Sequence, residues 1–209
     1  DTYFFFGRVY DLMEDYDIAI KYYTKAIEID PKSFWAYNNR ACEYTDINEF
    51  DKAIEDCNKA IEINQRITNP YMELGNIYRE TGEYNKSVNE YTKAIELDPN
   101  DSSAYSGRAY TYTDFNKNDE AIKDCNRAIE LDPKHSSAYL TRGLAYGRKK
   151  EYKKATQNFN KVLELKPDKE MESKVYNNLG NIYYDLGQND NALEYYNKSI
   201  DFNPKDFSP

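Results

Sequence analysis

The sequence predicts an all-α solenoid, a stack of antiparallel helix pairs without a single central core. Three observations predict it. Tyrosines at 3, 37, 71, 105 and 139 advance by 34 residues, and the series resumes at Tyr176 after a step of 37. A second series, Tyr10, Tyr44, Tyr78, Tyr112, Tyr146 and Tyr183, trails the first by seven residues. Seven residues are two helical turns, so each tyrosine pair shares one face. Proline closes five of six second segments, at Pro31, Pro99, Pro133, Pro167 and Pro204. A helix pair this short cannot bury its faces alone and must stack on copies of itself.

Every unit reads like the stretch from Tyr71 to Pro99. Tyr71, Leu74, Gly75 and Tyr78 mark a first helix, and Thr81-Gly82-Glu83 breaks it. Ser87, Tyr91 and Ala94 set the buried stripe of a second helix, which ends at Asp98-Pro99. A small residue lies between the paired tyrosines throughout: Gly7, Ala41, Gly75, Ala109, Gly143 and Gly180. Glycine there costs about 1 kcal/mol of helix propensity against alanine, so close helix approach is implied. The second helices carry Ala19, Ala53, Ser87, Ala121, Ala155 and Ala192 in one row. Ala26, Ala60, Ala94, Ala128, Val162 and Ser199 form another. Between the rows come Tyr23, Cys57, Tyr91, Cys125, Phe159 and Tyr196, giving one apolar stripe. Gln65 stands in place of proline in the second unit, with Pro70 beyond it, so that turn is expected to differ in shape.

The units run over about 1–33, 34–67, 68–101, 102–135, 136–172 and 173–206, a single array. Asp1 falls inside a helical pattern, and Phe207-Ser-Pro209 falls where a seventh unit or a capping helix would begin. The chain therefore reads as a piece of a longer protein. Its two terminal faces read as uncapped, which makes end-to-end self-association an alternative role.

The spacing resembles the tetratricopeptide repeat, a 34-residue helix-turn-helix with small and aromatic residues at fixed places. Six units in register carry the resemblance. Tyrosine stands where the family often has tryptophan, and the large residue before the small row is leucine only at Leu74 and Leu179. The resemblance implies a right-handed superhelix, with first helices lining a concave groove that holds an extended peptide or a partner helix. It implies no enzymatic activity. Some members of the family grip an acidic chaperone tail with a clamp of basic residues. Here Phe4, Asn38, Met72, Glu73, Ser106 and Thr141 occupy those places, which argues against that ligand.

Composition narrows the function further. The net charge of −9 opposes phosphate-backbone binding and suits a basic protein partner. No apolar run approaches a membrane span. Three widely spaced cysteines do not form a disulfide framework, which predicts a reducing, cytoplasmic setting. The single histidine, His135, sits in a turn, and no nucleophile–base pair or phosphate-cradling loop is present, so neither catalysis, a cofactor nor a metal is expected. Recruitment of substrates for a larger enzyme is a further alternative, which no residue here favours.

Two irregularities carry expectations. Glu170-Met-Glu172 inserts three residues, expected to lengthen the last first helix by about a turn, with Asp168 as its N-cap. Arg40 and Arg108 precede Asp56 and Asp124 by sixteen residues, which predicts ion pairs between paired helices. Arg142 meets Asn158 in the same scheme and is expected to be free for another role.

The candidate peptide-binding residues are those of the first helices that lie away from the tyrosine stripe: Arg8, Trp35, Asn38, Asn39, Met72, Asn76, Arg79, Tyr110, Leu140, Asn177, Asn178 and Asn181. Asparagine can both donate to and accept from a peptide backbone. Trp35, Met72 and Leu140 would supply apolar pockets. Asn76→Ala and Asn178→Ala are expected to weaken binding without loss of stability. An acidic row, Asp46, Glu80, Asp114 and Asp185, interrupted by Arg148, lies near the ends of first helices. The helix dipole disfavours carboxylates there, which suits either a basic partner or a solvated, paired rim.

Overall fold

In the computed structural model the described residues are 2–202, and they form helices joined by short turns. The chain divides after Asn100 into two compact bodies. The first holds α1 (Thr2–Asp11), α2 (Tyr16–Ile29), α3 (Phe34–Asp46), α4 (Phe50–Ile63), α5 (Asn69–Glu80) and α6 (Tyr84–Leu97). The second holds α7 (Ser102–Asp114), α8 (Asn118–Leu131), α9 (Ser136–Arg148), α10 (Tyr152–Glu164), α11 (Lys169–Asp185) and α12 (Asn189–Phe202). Within each body every helix packs on its neighbour in sequence. First helices also pack on first helices, α3 on α5, α7 on α9 and α9 on α11. Asp1, Pro204 and the Phe207–Pro209 segment lie outside the described residues.

The small rows are the core. Gly7, Ala41, Gly75, Ala109, Gly143 and Gly180 are all buried, as are both small rows of the second helices. The glycines and the stripe are matched in size. A Cβ added at Gly7, Gly75, Gly143 or Gly180 would lie 2.4, 2.7, 2.6 or 2.6 Å from the ring of Tyr23, Tyr91, Phe159 or Tyr196. Where the small residue is alanine, at Ala41 and Ala109, the stripe residue sixteen places on is Cys57 or Cys125. Each helix pair thus fills one slot with either a ring over glycine or a thiol over alanine.

The turn inside each pair is a left-handed cap. Glu14, Asn48, Gly82, Asn116, Lys150 and Gly187 all have φ between 58° and 77°. The next amide closes onto the second tyrosine of the unit, from Asp15 to Tyr10 at 3.0 Å through Gln188 to Tyr183 at 2.9 Å. Only two units use glycine at this strained position. Lys150→Gly is expected to raise stability by about 0.5–1 kcal/mol, because relief of the left-handed strain exceeds glycine's entropic cost. Asn48→Gly should be near neutral, since asparagine tolerates the conformation. Denaturant titration of the two variants makes the comparison.

The turns between pairs depend on an aspartate or asparagine more than on proline. Asp30, Asp98 and Asp132 are extended C-caps whose carboxylates accept the amide two residues on, at 2.9–3.0 Å. Asn64 does the same for Arg66 at 3.1 Å, so the second unit keeps the turn although Gln65 replaces proline. That hydrogen bond is kept, but the connection differs in shape as expected: five residues, 64–68, separate α4 from α5, against four in the other turns between pairs, and Thr68 ahead of α5 has a helical backbone. A second turn that differs follows α10, where Leu165 caps in the helical region and Lys166 takes a φ of 54° ahead of Pro167. Pro70 lies in the first turn of α5.

The insertion behaves as expected. The α11 helix has 17 residues, against 10–13 for the other first helices. The Asp168 carboxylate accepts the Met171 amide at 2.8 Å. Just beyond the added turn α11 is tied to α12 by a reciprocal pair, Ser173 Oγ to the Ser199 carbonyl at 3.0 Å and Ser199 Oγ to the Ser173 carbonyl at 2.9 Å. Ser199, an outlier in its alanine row, thereby gains a buried partner.

The paired tyrosines act as jaws. The Arg40 guanidinium lies 5.7 Å from the rings of both Tyr37 and Tyr44. Arg108 sits between Tyr105 and Tyr112 in the same way. In the first and last units a ring takes the slot: Tyr22 stacks on Tyr10 at 5.3 Å and Tyr195 on Tyr183 at 5.1 Å. Each arginine is then fixed by its aspartate. Arg40 Nε and Nη2 donate to Asp56 at 2.7 and 2.8 Å, and Arg108 donates to Asp124 at 2.7 and 2.9 Å. Arg40 also donates to Thr24 Oγ1 at 2.9 Å, so one side chain joins α2, α3 and α4. Arg142 is not free, which corrects that expectation. It donates to Asn158 at 2.8 Å and to Asn126 at 2.7 Å, joining α8, α9 and α10.

Candidate functional site

The arginine–aspartate side of the second unit opens a space of about 690 Å³, but its charged walls include the Arg40–Asp56 pair, already matched with each other. The first-helix side is different. In the first body a cleft of about 490 Å³ is lined by Phe4, Arg8 and Asp11 of α1 together with Trp35, Asn38 and Asn39 of α3. Cys42, Glu43 and Asn69 complete it. Four of the sequence-predicted residues, Arg8, Trp35, Asn38 and Asn39, therefore meet in one place. Trp35 is 49% exposed, with its ring against Phe34 at 4.8 Å. Asn38 is buried. It donates to Asn39 Oδ1 at 3.3 Å, while its own Oδ1 is enclosed and has no hydrogen-bond partner. Arg8 is exposed at the cleft.

The second body has a smaller cleft of about 210 Å³, lined by Leu144 and Arg148 of α9 and by Asn178, Asn181 and Asp185 of α11. Asn177 accepts from Asn181 at 3.3 Å, and Asn178 donates to the Lys174 carbonyl of its own helix at 2.7 Å. Tyr110 is 38% exposed. Leu140 is half-buried and packs against the core around Val175 and Leu179. In the first body Met72 is half-buried, and Arg79 is half-buried beside Glu80 at 3.4 Å.

Several of the asparagines have structural partners that the wheel did not reveal. They pair with the tyrosine hydroxyls of the second-helix stripe. Tyr91 donates to Asn76 Oδ1, Tyr196 donates to Asn181 Oδ1 at 2.7 Å, and Asn39 donates to the Tyr23 hydroxyl at 3.4 Å. In the fifth unit the ring is Phe159, which has no hydroxyl, and the place of Asn76 is held by Leu144. Asn76 therefore supports a buried group as well as facing outward. Its replacement reports on the fold as well as on the first-helix face.

The acidic row is a partly paired rim. Arg148 lies 3.8 Å from Asp114 and donates to the Thr113 carbonyl, and Tyr152 donates to Asp185 at 3.1 Å. Glu73 accepts from Thr45 at 2.5 Å, and burial pushes its carboxyl up. Burial, reinforced by Glu73 and Glu43, pushes the Cys42 thiol up, away from a reactive thiolate. Cys57 and Cys125 are buried and likewise raised by burial.

Sequence reasoning missed Asp11, Glu43 and Asn69 among the lining residues, and of these Glu43 is the buried one. It is 2% exposed. A signal was present. Val9, Ile77, Thr111, Ala145 and Ile182 hold the same place in the other units, and only the second unit has a charge there.

Antiparallel helix pairs repeated in this way define the class of α-solenoid interaction scaffolds. Tetratricopeptide repeat profiles match residues 34–66, 102–135, 136–169 and 173–206, and 1–33, and a profile described as a TPR repeat matches 75–114. The chain belongs to the tetratricopeptide repeat family. No curated protein matches the sequence. Among solved structures, MamA is 27% identical, covering 78% of this chain and 90% of its own, with a TM-score of 0.64. YrrB is 23% identical, covering 88% and 93%, with a TM-score of 0.61. A chain of the Cut9–Hcn1 hetero-tetramer is 20% identical and covers 99% of this chain and 40% of its own, with a TM-score of 0.88. No helix among the described residues is long and apolar enough to cross a membrane.

Proposed function

We propose that the chain binds an extended or helical peptide segment along its first-helix face, with the cleft of α1 and α3 as the main contact. The observation that carries this reading is an open cleft with a half-exposed tryptophan at Trp35 and an enclosed, unpartnered acceptor at Asn38. An exposed aromatic beside unsatisfied polar atoms is what a peptide backbone and an anchoring side chain would cover. YrrB, alike in fold, is a TPR protein with a peptide-binding site.

Peptides selected from a random library against the whole chain test the reading. Trp35→Ala is expected to weaken their binding by about tenfold or more, the loss typical of an aromatic anchor, with the melting temperature unchanged. Asn76→Ala is the contrasting variant. It strands the hydroxyl of Tyr91, a residue only 3% exposed, and costs about 1–3 kcal/mol of stability. Selected peptides that bind Trp35→Ala and Asn178→Ala as tightly as the unaltered chain would place the binding surface elsewhere.

A further inference from the structure

The wall of the first cleft contains a carboxyl group that the fold does not use. Glu43 occupies a core row whose other members in α5, α7, α9 and α11 are Ile77, Thr111, Ala145 and Ile182. It is 2% exposed, and its Oε2 has no hydrogen-bond partner in the structure. Asn38, five residues earlier in α3 and 4% exposed, presents a second enclosed acceptor without a partner. Both line the same cleft, and Asp11 joins them from α1. A buried acceptor without a donor is a standing cost to the fold, and a buried carboxyl more so. Two such groups converging on an open cleft call for a ligand that brings donors and positive charge.

Resting on the peptide-binding reading, we infer that the cleft between α1 and α3 receives a basic side chain, lysine or arginine, of the bound segment. Glu43 and Asp11 take its charge, Asn38 Oδ1 accepts one of its N–H groups, and the Trp35 ring flanks it as a cation–π partner. The cleft volume, about 490 Å³, suits a whole side chain with adjoining backbone. Arg8 is the one cation among the lining residues, and it is exposed. The net charge of −9 favours the approach of a basic segment.

Charge around Glu43 gives the binding a pH signature. Arg8 and Asp11 face it from α1, Tyr16 and Tyr23 from α2, and Cys42 and Asp46 from α3, with Glu73 of α5 beyond Cys42. Burial, with repulsion from Asp11 and Asp46, pushes the Glu43 carboxyl up to about 8. Below that value the empty cleft holds a neutral acid, and a cation must displace its proton to bind. Affinity for a basic side chain therefore rises with pH between about 6 and about 9, a range in which lysine stays charged.

Short glycine–serine peptides carrying one central lysine, norleucine or aspartate test the inference, alongside library-selected peptides. Trp35, the chain's single tryptophan, reports binding through its emission. The lysine peptide is expected to bind at least about tenfold tighter than the norleucine peptide near pH 9, and the preference shrinks severalfold near pH 6. Glu43→Gln removes the preference and its pH dependence together, and Asp11→Asn reduces the preference. Equal affinity for lysine and norleucine overturns the basic pocket and leaves peptide binding standing. No response of Trp35 to any of these peptides, selected ones included, overturns both.

Discussion

Asp56→Ala is expected to destabilise the first body by about 3–5 kcal/mol, the cost of removing one partner from a buried ion pair. The loss is large because of what remains. Arg40 would keep its charge in a slot where its side chain is only 15% exposed, between two tyrosine rings and with Thr24 as its one remaining oxygen partner. The ion pair itself contributes far less than this figure, since bringing both charges out of water offsets most of their attraction. The chain contains its own control. In the last unit the corresponding places hold Leu179 and Tyr195, and the tyrosine ring fills the slot by stacking on Tyr183 at 5.1 Å. Arg40→Leu combined with Asp56→Tyr should therefore recover most of the loss, to within about 1–2 kcal/mol of the unaltered chain. Denaturant titrations of the single and double variants measure both values. A single variant as stable as the double one would mean that Arg40 finds water and that the slot is not closed.

Much of this was legible because a repeat sequence compares each position with itself several times. The rows of small residues, the added turn of α11, the Asp168 cap and the two arginine–aspartate pairs all follow from register and helical spacing. The parts that were not legible depend on what a side chain meets across the gap. Proline was the visible sign of the turn between pairs, yet Asn64 makes that turn without one. Asn76 and Asn181 look like free amides on a wheel. Their place is set by the Tyr91 and Tyr196 hydroxyls fifteen residues on, a pairing that Leu144 and Phe159 show in the negative. Glu43 was not legible as a site residue because its row, which holds Val9, Ile77, Thr111, Ala145 and Ile182 in the other units, lies toward the core and not on the face away from the tyrosine stripe. The substitution pattern across units held that information, and only burial showed what it meant for the cleft.

The match between the small row and the stripe supplies the second large effect, one in which a single substitution changes sign with its background. Gly143→Ala places a methyl group 2.6 Å from the Phe159 ring, closer than real contacts allow. The ring is 1% exposed and enclosed by Ala155, Val162 and Leu179, so it cannot swing aside freely. The expected result is a loss of about 1–3 kcal/mol from overpacking, which outweighs the gain of about 1 kcal/mol in helix propensity. In a Phe159→Cys background the obstacle is gone. That change alone is costly, about 3–5 kcal/mol for a buried aromatic cut to a small side chain. Adding Gly143→Ala to it should now stabilise the protein by about 1 kcal/mol or more, because alanine both favours the helix and fills part of the cavity. The second and fourth units already use this combination, Ala41 with Cys57 and Ala109 with Cys125, all four side chains fully buried. A thermodynamic cycle over the four proteins isolates the coupling. Additive effects would show that the ring yields to the methyl group, and that the pairing of glycine with rings in this chain does not arise from contact between them.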